Sequence, residues 1–303
     1  MKQKHLVIIV GPTAVGKTPV AIALAKHFNT EIISADSRQV YREMKIGTAI
    51  PSAQQLAAVR HYFIGNRSVQ EYYNASIFEN EVIELLNRLF SQHDIVIMTG
   101  GSGMYVDAVC SGIDDFPTVN AVVRENLKST FMQKGIEWLR SQVKESDPVY
   151  YAQVDIDNPK RLLKALEIIT MTGLPYSSFL TKQKKERDFG IIQIGLTIER
   201  KILYSNINRR VDNMIQDGLV EEAKQLFSFR KLNALDTVGY KEIFEHLEGK
   251  ITLEKAVDLI KRHSRQYARR QLTWFRKNKD ISWFEPDEQS AIISYILDIR
   301  NQV

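Results

Sequence analysis

Four runs of apolar and β-branched residues punctuate the chain: His5–Val10, Glu31–Ala35, Ile95–Thr99 and Ile191–Thr197. Short continuous apolar runs without alternation fit strands covered on both faces, as in a parallel sheet. Helical patterns separate them. Pro19–Phe28 follows the first run and Ile77–Phe90 precedes the third. Strands alternating with helices predict an α/β fold built on a doubly wound, mostly parallel sheet. From Thr118 to Phe189 the alternation stops and the pattern is helix-like throughout. This stretch lies between Asp114-Asp115-Phe116-Pro117 and the charged run Lys182–Asp188. The expected organisation is therefore a catalytic core of residues 1–117 and 190–303 with basic C-terminal helices, and a helical insertion domain at 118–189. Beyond Thr197, Val211, Met214, Ile215, Leu219, Ala223 and Leu226 recur at helical spacing and are expected to face the core.

With hydrophobic residues at 44% of 303, the chain holds enough apolar material for a core without disulfide staples. Cys110 is the only cysteine, so no intramolecular disulfide forms, and a reducing cytoplasm is the expected compartment. It has no nucleophile context and is expected to be a small buried group. The apolar run near Met1 is too short for a signal peptide, and no stretch approaches the roughly 20 apolar residues of a membrane span. The six histidines show no paired metal-ligand spacing. A net charge of +5 says little until its location is known.

The first apolar run leads into Gly11-Pro12-Thr13-Ala14-Val15-Gly16-Lys17-Thr18, a full GxxxxGK[ST] phosphate loop opening a helix. Glycines let the backbone turn N–H groups toward an anion, and the helix N-terminus adds a positive dipole end. Lys17 supplies a mobile charge, and the Thr18 hydroxyl suits Mg2+. Such loops serve kinases, ATPases, GTPases and some transferases, so the phosphorylated ligand stays open, ATP or GTP included. An NTPase usually has an apolar strand ending in Asp. Here Ile95–Thr99 runs instead into Gly100-Gly-Ser-Gly103. Asp36, after the second strand, is the better-placed acid: a magnesium ligand, a general base or a cap. Ligands bind beyond the carboxyl ends of parallel strands, so Asp36 and Gly100–Gly103 are expected at one crevice with the phosphate loop. The second glycine loop fits a tight turn or a close approach to substrate.

Positive charge gathers at Lys261–Lys277, which contains no acid. Arg262, Arg265, Arg269 and Arg276 share one helical face at offsets 0, 3, 7 and 14 and suit a phosphate backbone. Tyr267 and Trp274 share another face and are expected in the core.

Several motifs together resemble the tRNA dimethylallyltransferases: Gly11–Thr18, Ser34-Ala-Asp-Ser-Arg-Gln-Val-Tyr41, Gly100-Gly-Ser-Gly-Met-Tyr105, Lys160-Arg-Leu-Leu-Lys-Ala-Leu-Glu167, Val238-Gly-Tyr-Lys-Glu242 and Arg265-Gln-Tyr-Ala-Arg-Arg-Gln-Leu-Thr-Trp-Phe-Arg276. They occur in the family's order across nearly the whole chain. The resemblance implies transfer of a dimethylallyl group from dimethylallyl diphosphate to N6 of the adenosine 3′ to the anticodon, with magnesium, and a helical insertion that grips the anticodon stem-loop. It assigns Asp36 as general base, Ser37, Arg38 and Gln39 as a base-contacting segment, and Ser102, Arg124 and the stretch Lys160, Arg161, Leu162, Leu163, Lys164 as tRNA contacts. Arg210 matches an arginine near the diphosphate. Val15 stands where the family usually has a small polar residue, and Ser102 replaces a threonine.

The chemistry is consistent with those residues. Departing diphosphate needs Lys17, the loop amides, magnesium and Arg210. The exocyclic amine is a poor nucleophile and needs a base such as Asp36. An unpaired loop adenosine is cheap to unstack. Arg269 and Arg276 are expected on the tRNA, and the chain is expected to act as a cytoplasmic monomer. A P-loop small-molecule kinase and an adenine-nucleotide prenyltransferase are the rivals. The first needs a lid arginine and ATP, and the second has no use for a basic C-terminal helix. A third, an RNA-binding module holding a nucleotide only structurally, has no use for Asp36.

Overall fold

The computed structural model describes residues 4–301 except 115, 118, 119 and 182. The expected boundary at Thr118 lies outside the described residues, as do Asp115 and Lys182 of the flanking runs. By internal contacts the chain forms two units, Met1–Ser111 with Glu186–Val303, and Gly112–Lys185.

The larger unit is built on a sheet of β1 (His5–Val10), β2 (Ile32–Ser34), β3 (His61–Tyr62), β4 (Ile95–Gly100), β5 (Gly190–Leu196) and β6 (Ser282–Phe284). Their order is β3-β2-β4-β1-β5-β6, and every pairing is parallel. The four strands the hydrophobic runs predict are present, and β1 and β4 are buried at every residue. The sequence misses β3 and β6, the two edge strands. Two or three residues are too few for a periodic signal, and their pairing is decided by the neighbouring strand.

Helices α1 (Lys17–His27), α2 (Ala53–Ala58), α3 (Ala75–Leu89) and α4 (Gly103–Ser111) connect the first strands. In the smaller unit α5 (Ala121–Ser146), bent at Gly135 with φ 77°, packs on α7 (Pro159–Thr172), and α6 (Pro148–Tyr151) joins them. Leu139, Val143, Leu162 and Leu166 form their shared core. The larger unit then continues through α8 (Arg200–Gln216), α9 (Leu219–Gln225), α10 (Tyr240–Leu247), α11 (Leu253–Phe275) and α12 (Gln289–Asn301). The helical spacing from Val211 to Leu226 is cut at Gly218 (φ 101°), whose left-handed backbone ends α8 and starts α9. No helix among the described residues is long and apolar enough to cross a membrane.

β1 and β4 are neighbours, and the chain leaves the sheet beyond both at glycine loops, Gly11–Gly16 and Gly101–Gly103. Two crossovers leave in opposite directions around them, which opens a crevice at the carboxyl edge of the sheet.

Candidate active site

The loop after β1 has the form an anion needs. Gly11 (φ 148°) and Gly16 (φ 104°) adopt positive φ, and Ala14 does so without being glycine (φ 63°). A left-handed alanine is strained, and here the strain turns the loop back toward the start of α1. That helix begins at Gly16 with no side-chain cap and no acid in its first turn. Its first amides are therefore free for a ligand anion. Val15 is buried in the core cluster at 3% exposure, so this departure from the family pattern points away from the cleft.

The cleft beside the loop is a cavity of about 380 Å³, bordered by Thr13, Lys17, Thr18, Asp36, Arg210 and Tyr267 among others. That volume lies in the range of small-ligand sites. Lys17 Nζ turns back onto the loop, donating to Gly11 O at 3.0 Å and Pro12 O at 2.8 Å. Burial, and then the charge of Arg210, push its pKa down to about 7, against a smaller opposing pull from Asp36. Arg210 donates to Thr13 Oγ1 at 3.2 Å and to Thr48 O at 3.3 Å, and burial lowers its pKa too. Two cations bordering one cavity, with only a smaller opposing pull from the Asp36 carboxylate, form a site that favours an anionic ligand.

Asp36 follows β2. Its Oδ1 accepts from Arg38 N at 2.9 Å and Gln39 N at 3.3 Å. It therefore caps the turn that carries Ser37, Arg38 and Gln39, while its side chain also borders the cleft. Gln39 is an internal brace: its Nε2 donates to Thr48 O and Ala49 O, and its Oε1 accepts from Ser34 Oγ. Ser102 Oγ accepts from Ser37 N at 2.9 Å and donates to Ser37 Oγ at 3.2 Å, tying the second glycine loop to the Asp36 turn.

Close packing explains the glycines of that second loop. A Cβ on Gly100 would lie 2.2 Å from Ala35 O, and one on Gly101 would lie 2.2 Å from Gln271 Nε2. Protein makes a close approach at both glycines, which also border the cleft.

Gln271 is the residue that sequence patterns do not single out. It lies on α11, 5% exposed. Its Oε1 accepts from Thr13 N at 2.8 Å, and its Nε2 donates to Gly101 O at 2.9 Å. One side chain thus clamps the two glycine loops together. A second brace comes from Glu222 on α9, whose carboxylate accepts from Lys45 N, Ile46 N, Gly47 N and the Tyr240 hydroxyl. It holds the segment whose Thr48 carbonyl receives Arg210. Val238–Glu242 acquires its meaning here. Tyr240 packs where a Cβ on Gly47 would collide, 2.5 Å away, and Glu242 caps Gly239 N at 2.8 Å and meets His263.

Tyr267 and Trp274 are not the core residues the sequence predicts. Tyr267 borders the cleft and hydrogen-bonds with Ser102, and burial followed by the Asp36 charge pushes its pKa up to about 12. Trp274 is 41% exposed. They lie at the edge of the buried face of α11, not at its centre. Of the arginine stripe, Arg265 is taken up by Asn208 Oδ1 on α8, whereas Arg262, Arg269 and Arg276 are exposed. Arg269 and Arg276 lie roughly half a turn around the helix from Tyr267 and do not border the cleft.

In the smaller unit Arg124 makes a two-pronged pair with Glu167, at 2.9 and 3.3 Å. Lys160 and Arg161 are exposed at the start of α7. Leu162 is fully buried and Leu163 packs against the same cluster. These two leucines hold the helix and do not form its outer surface. Lys164 lies over the Phe116 ring at 5.9 Å. Cys110 is kept protonated, its thiol pushed up to about 12 mainly by burial.

No group of three or more His, Cys, Asp or Glu that could hold a metal occurs among the described residues. The donor set at the cleft is the Thr18 hydroxyl with the Asp36 carboxylate, hard oxygens beside an anion site. That fits an ion carried largely by substrate phosphates and water.

The family model described as IPP transferase matches residues 39–278. The tRNA dimethylallyltransferase 1 of Phocaeicola vulgatus is 52% identical over 296 residues, covering 98% of this chain and 99% of that protein. The tRNA dimethylallyltransferase of Christiangramia forsetii is 50% identical over 293 residues, with 96% and 97% covered. Among solved structures, the full-length tRNA isopentenylpyrophosphate transferase of Bacillus halodurans superposes with a TM-score of 0.73 at 36% identity, covering 99% and 98%. A eukaryotic dimethylallyltransferase acting on tRNA gives 0.76 at 25% identity, covering 93% of this chain and 74% of that one.

Two outcomes follow from this geometry. Gln271→Met keeps the volume and leaves Thr13 N and Gly101 O unpaired. It should cost about 1–3 kcal/mol in urea unfolding and weaken inorganic diphosphate binding by roughly tenfold. Unchanged values for both would remove Gln271 as the clamp. A bound anion should also restore the proton of Lys17. In calorimetry at pH 8 in buffers of different ionisation enthalpy, diphosphate binding should take up about one proton more in the wild type than in Lys17→Met. The difference should vanish at pH 6, where Lys17 is already charged. Equal proton uptake by the two proteins at pH 8 would contradict the lowered pKa.

Proposed function

The chain belongs to the IPP transferase family, and from that premise we propose how its cleft performs the reaction of a tRNA dimethylallyltransferase. The dimethylallyl group passes from its diphosphate to N6 of the adenosine 3′ to the anticodon, and diphosphate leaves. The observation that carries this reading is a single cleft bordered by an uncapped helix N-terminus, Lys17, Arg210 and the Asp36 carboxylate.

Dimethylallyl diphosphate lies with its phosphates on the amides that open α1, within the loop Gly11–Thr18, and beside Lys17 and Arg210. As the allylic carbon–oxygen bond breaks, negative charge grows on the leaving oxygens. The fixed donors are worth a few kcal/mol each at that point, because they need no reorganisation. The Thr18 hydroxyl and the Asp36 carboxylate would hold Mg2+, which would neutralise charge on the departing diphosphate. The adenosine leaves its stack, which costs least in an unpaired loop. Its N6 attacks the allylic carbon, and Asp36 takes the proton released as the new carbon–nitrogen bond forms. Ser37 and Arg38 meet the base, a role supported by their position on the turn that Asp36 and Ser102 tie down.

The outer residues serve tRNA binding. Arg269 and Arg276 supply phosphate contacts from α11. In the smaller unit Lys160, Arg161 and Lys164 meet the anticodon stem, while Arg124 is held ready by Glu167. A cytoplasmic monomer fits the substrate.

Purified protein is incubated with magnesium, unmodified tRNA and dimethylallyl diphosphate, and the digested nucleosides are weighed. Prenylated adenosine only in the tRNA reaction is expected. Product from AMP would move the assignment to a nucleotide prenyltransferase, and consumption of ATP without prenyl transfer would move it to a kinase. Asp36→Asn keeps the oxygen that caps the turn and removes the base. It should lower kcat by roughly 10²–10⁴-fold with tRNA affinity retained. Normal turnover would show that another group takes the proton.

A further inference from the structure

One flank of α11 carries a regular series that the diphosphate chemistry does not use. Tyr267, Arg270, Trp274 and Lys277 follow one another at steps of 3, 4 and 3 residues, aromatic alternating with cation. Such spacing keeps all four on one side of a helix and its last turn, over a length of about 15 Å. The first, Tyr267, borders the donor cleft, while Arg270, Trp274 and Lys277 are exposed. The cations sit near the rings: Arg270 is 5.8 Å from the Tyr267 ring centre and Lys277 is 6.0 Å from that of Trp274.

Trp274 is held in place by its surroundings. Its ring lies against Gly103, where a Cβ would come within 2.4 Å of the indole. Its Nε1 donates to Asp107 Oδ2 at 2.9 Å. The indole is thus fixed in orientation yet 41% exposed, and Met104, which follows Gly103 in the chain, is 57% exposed. Beside it opens a second cavity of about 280 Å³, lined by Asp107, Gln193, Trp274, Lys277, Asn278 and Ile281. Gln193 and Asn278 satisfy each other at 3.1 Å. An immobilised, solvent-facing aromatic pays little ordering entropy when a planar group stacks on it. Alternating aromatics and cations leading away from a site are the arrangement by which proteins track unpaired nucleic acid.

We propose that the Tyr267–Arg270–Trp274–Lys277 flank of α11 is a stacking track for unpaired nucleotides next to the acceptor adenosine, with one base on the indole of Trp274 beside the second cavity. It rests on the tRNA reading above and adds a binding surface separate from the arginines on the opposite side of the helix. Stacking explains why an exposed tryptophan is anchored at both its face and its edge. It also assigns Arg270 and Lys277 to the phosphates between the stacked bases.

The test is binding of a fluorescently labelled, unmodified anticodon stem-loop, with steady-state kinetics on tRNA and dimethylallyl diphosphate. Trp274→Ala should weaken stem-loop binding by roughly 5- to 150-fold, the range for loss of one base–aromatic stack. The KM for dimethylallyl diphosphate should stay within about twofold, and Trp274→Phe should recover most of the loss. The dependence of log affinity on log salt should be unchanged in Trp274→Ala, and shallower by ~0.7–0.9 in Lys277→Gln. Wild-type stem-loop affinity in Trp274→Ala would overturn the track. So would a parallel rise in both KM values, because that marks a structural role. If the wild type itself neither binds the stem-loop nor transfers the prenyl group, the tRNA reading fails. If it does both and only Trp274→Ala is silent, the track alone fails.

Discussion

The geometry of the cleft depends on the two hydrogen bonds of Gln271. A parallel sheet brings the ends of β1 and β4 side by side, but it does not fix the loops that leave them. Gln271 does so by accepting from Thr13 N and donating to Gly101 O. The amide can satisfy both only in one orientation, and the closeness of Gly101 to its Nε2 leaves no room for a side chain there. Ser102, one residue further on, then fixes the Asp36 turn through Ser37. Gln271 on α11 thus links the phosphate loop to the second glycine loop, and Ser102 links that loop to the Asp36 turn, beside the backbone bonds of Ala35 to Thr99 and Ser102. The same helix carries Tyr267 into the cleft and the cationic positions outward, so the frame of the reacting centre and the surface offered to tRNA are parts of one rigid element.

Electrostatics makes this frame expectant. Burial lowers the affinity of both Lys17 and Arg210 for their protons, and the Arg210 charge lowers that of Lys17 further. Lys17 meanwhile satisfies its hydrogen bonds with carbonyls of its own loop. A diphosphate exchanges those internal contacts for charge-paired ones. Glu222 keeps Arg210 in position from behind by gathering the amides of Lys45–Gly47.

Local signals made part of this legible. The β1 and β4 runs are apolar at every position because both faces are covered, and the phosphate loop is a contiguous motif whose backbone form follows from its glycines. What escaped the sequence is tertiary. Gln271 and Thr13 are 258 residues apart, and no pattern within α11 marks a glutamine as a clamp. The same holds for Glu222 beneath Gly47. The edge strands β3 and β6 are too short to carry a period. Tyr267 and Trp274 have the spacing of core residues, yet they lie at the margin of the buried face, where the helix meets the cleft and then solvent. Leu162, in a basic stretch that suggests an RNA contact, faces its own unit's core because helical periodicity turns it inward.

The central claim is that both substrates occupy one cleft and the prenyl group moves directly between them. Initial rates measured with dimethylallyl diphosphate and tRNA varied together test it most directly, alongside a search for diphosphate released without tRNA. The account predicts intersecting double-reciprocal lines and no diphosphate until tRNA is added. Parallel lines, with a stoichiometric burst of diphosphate from enzyme and donor alone, would mean a prenylated enzyme intermediate and would contradict it.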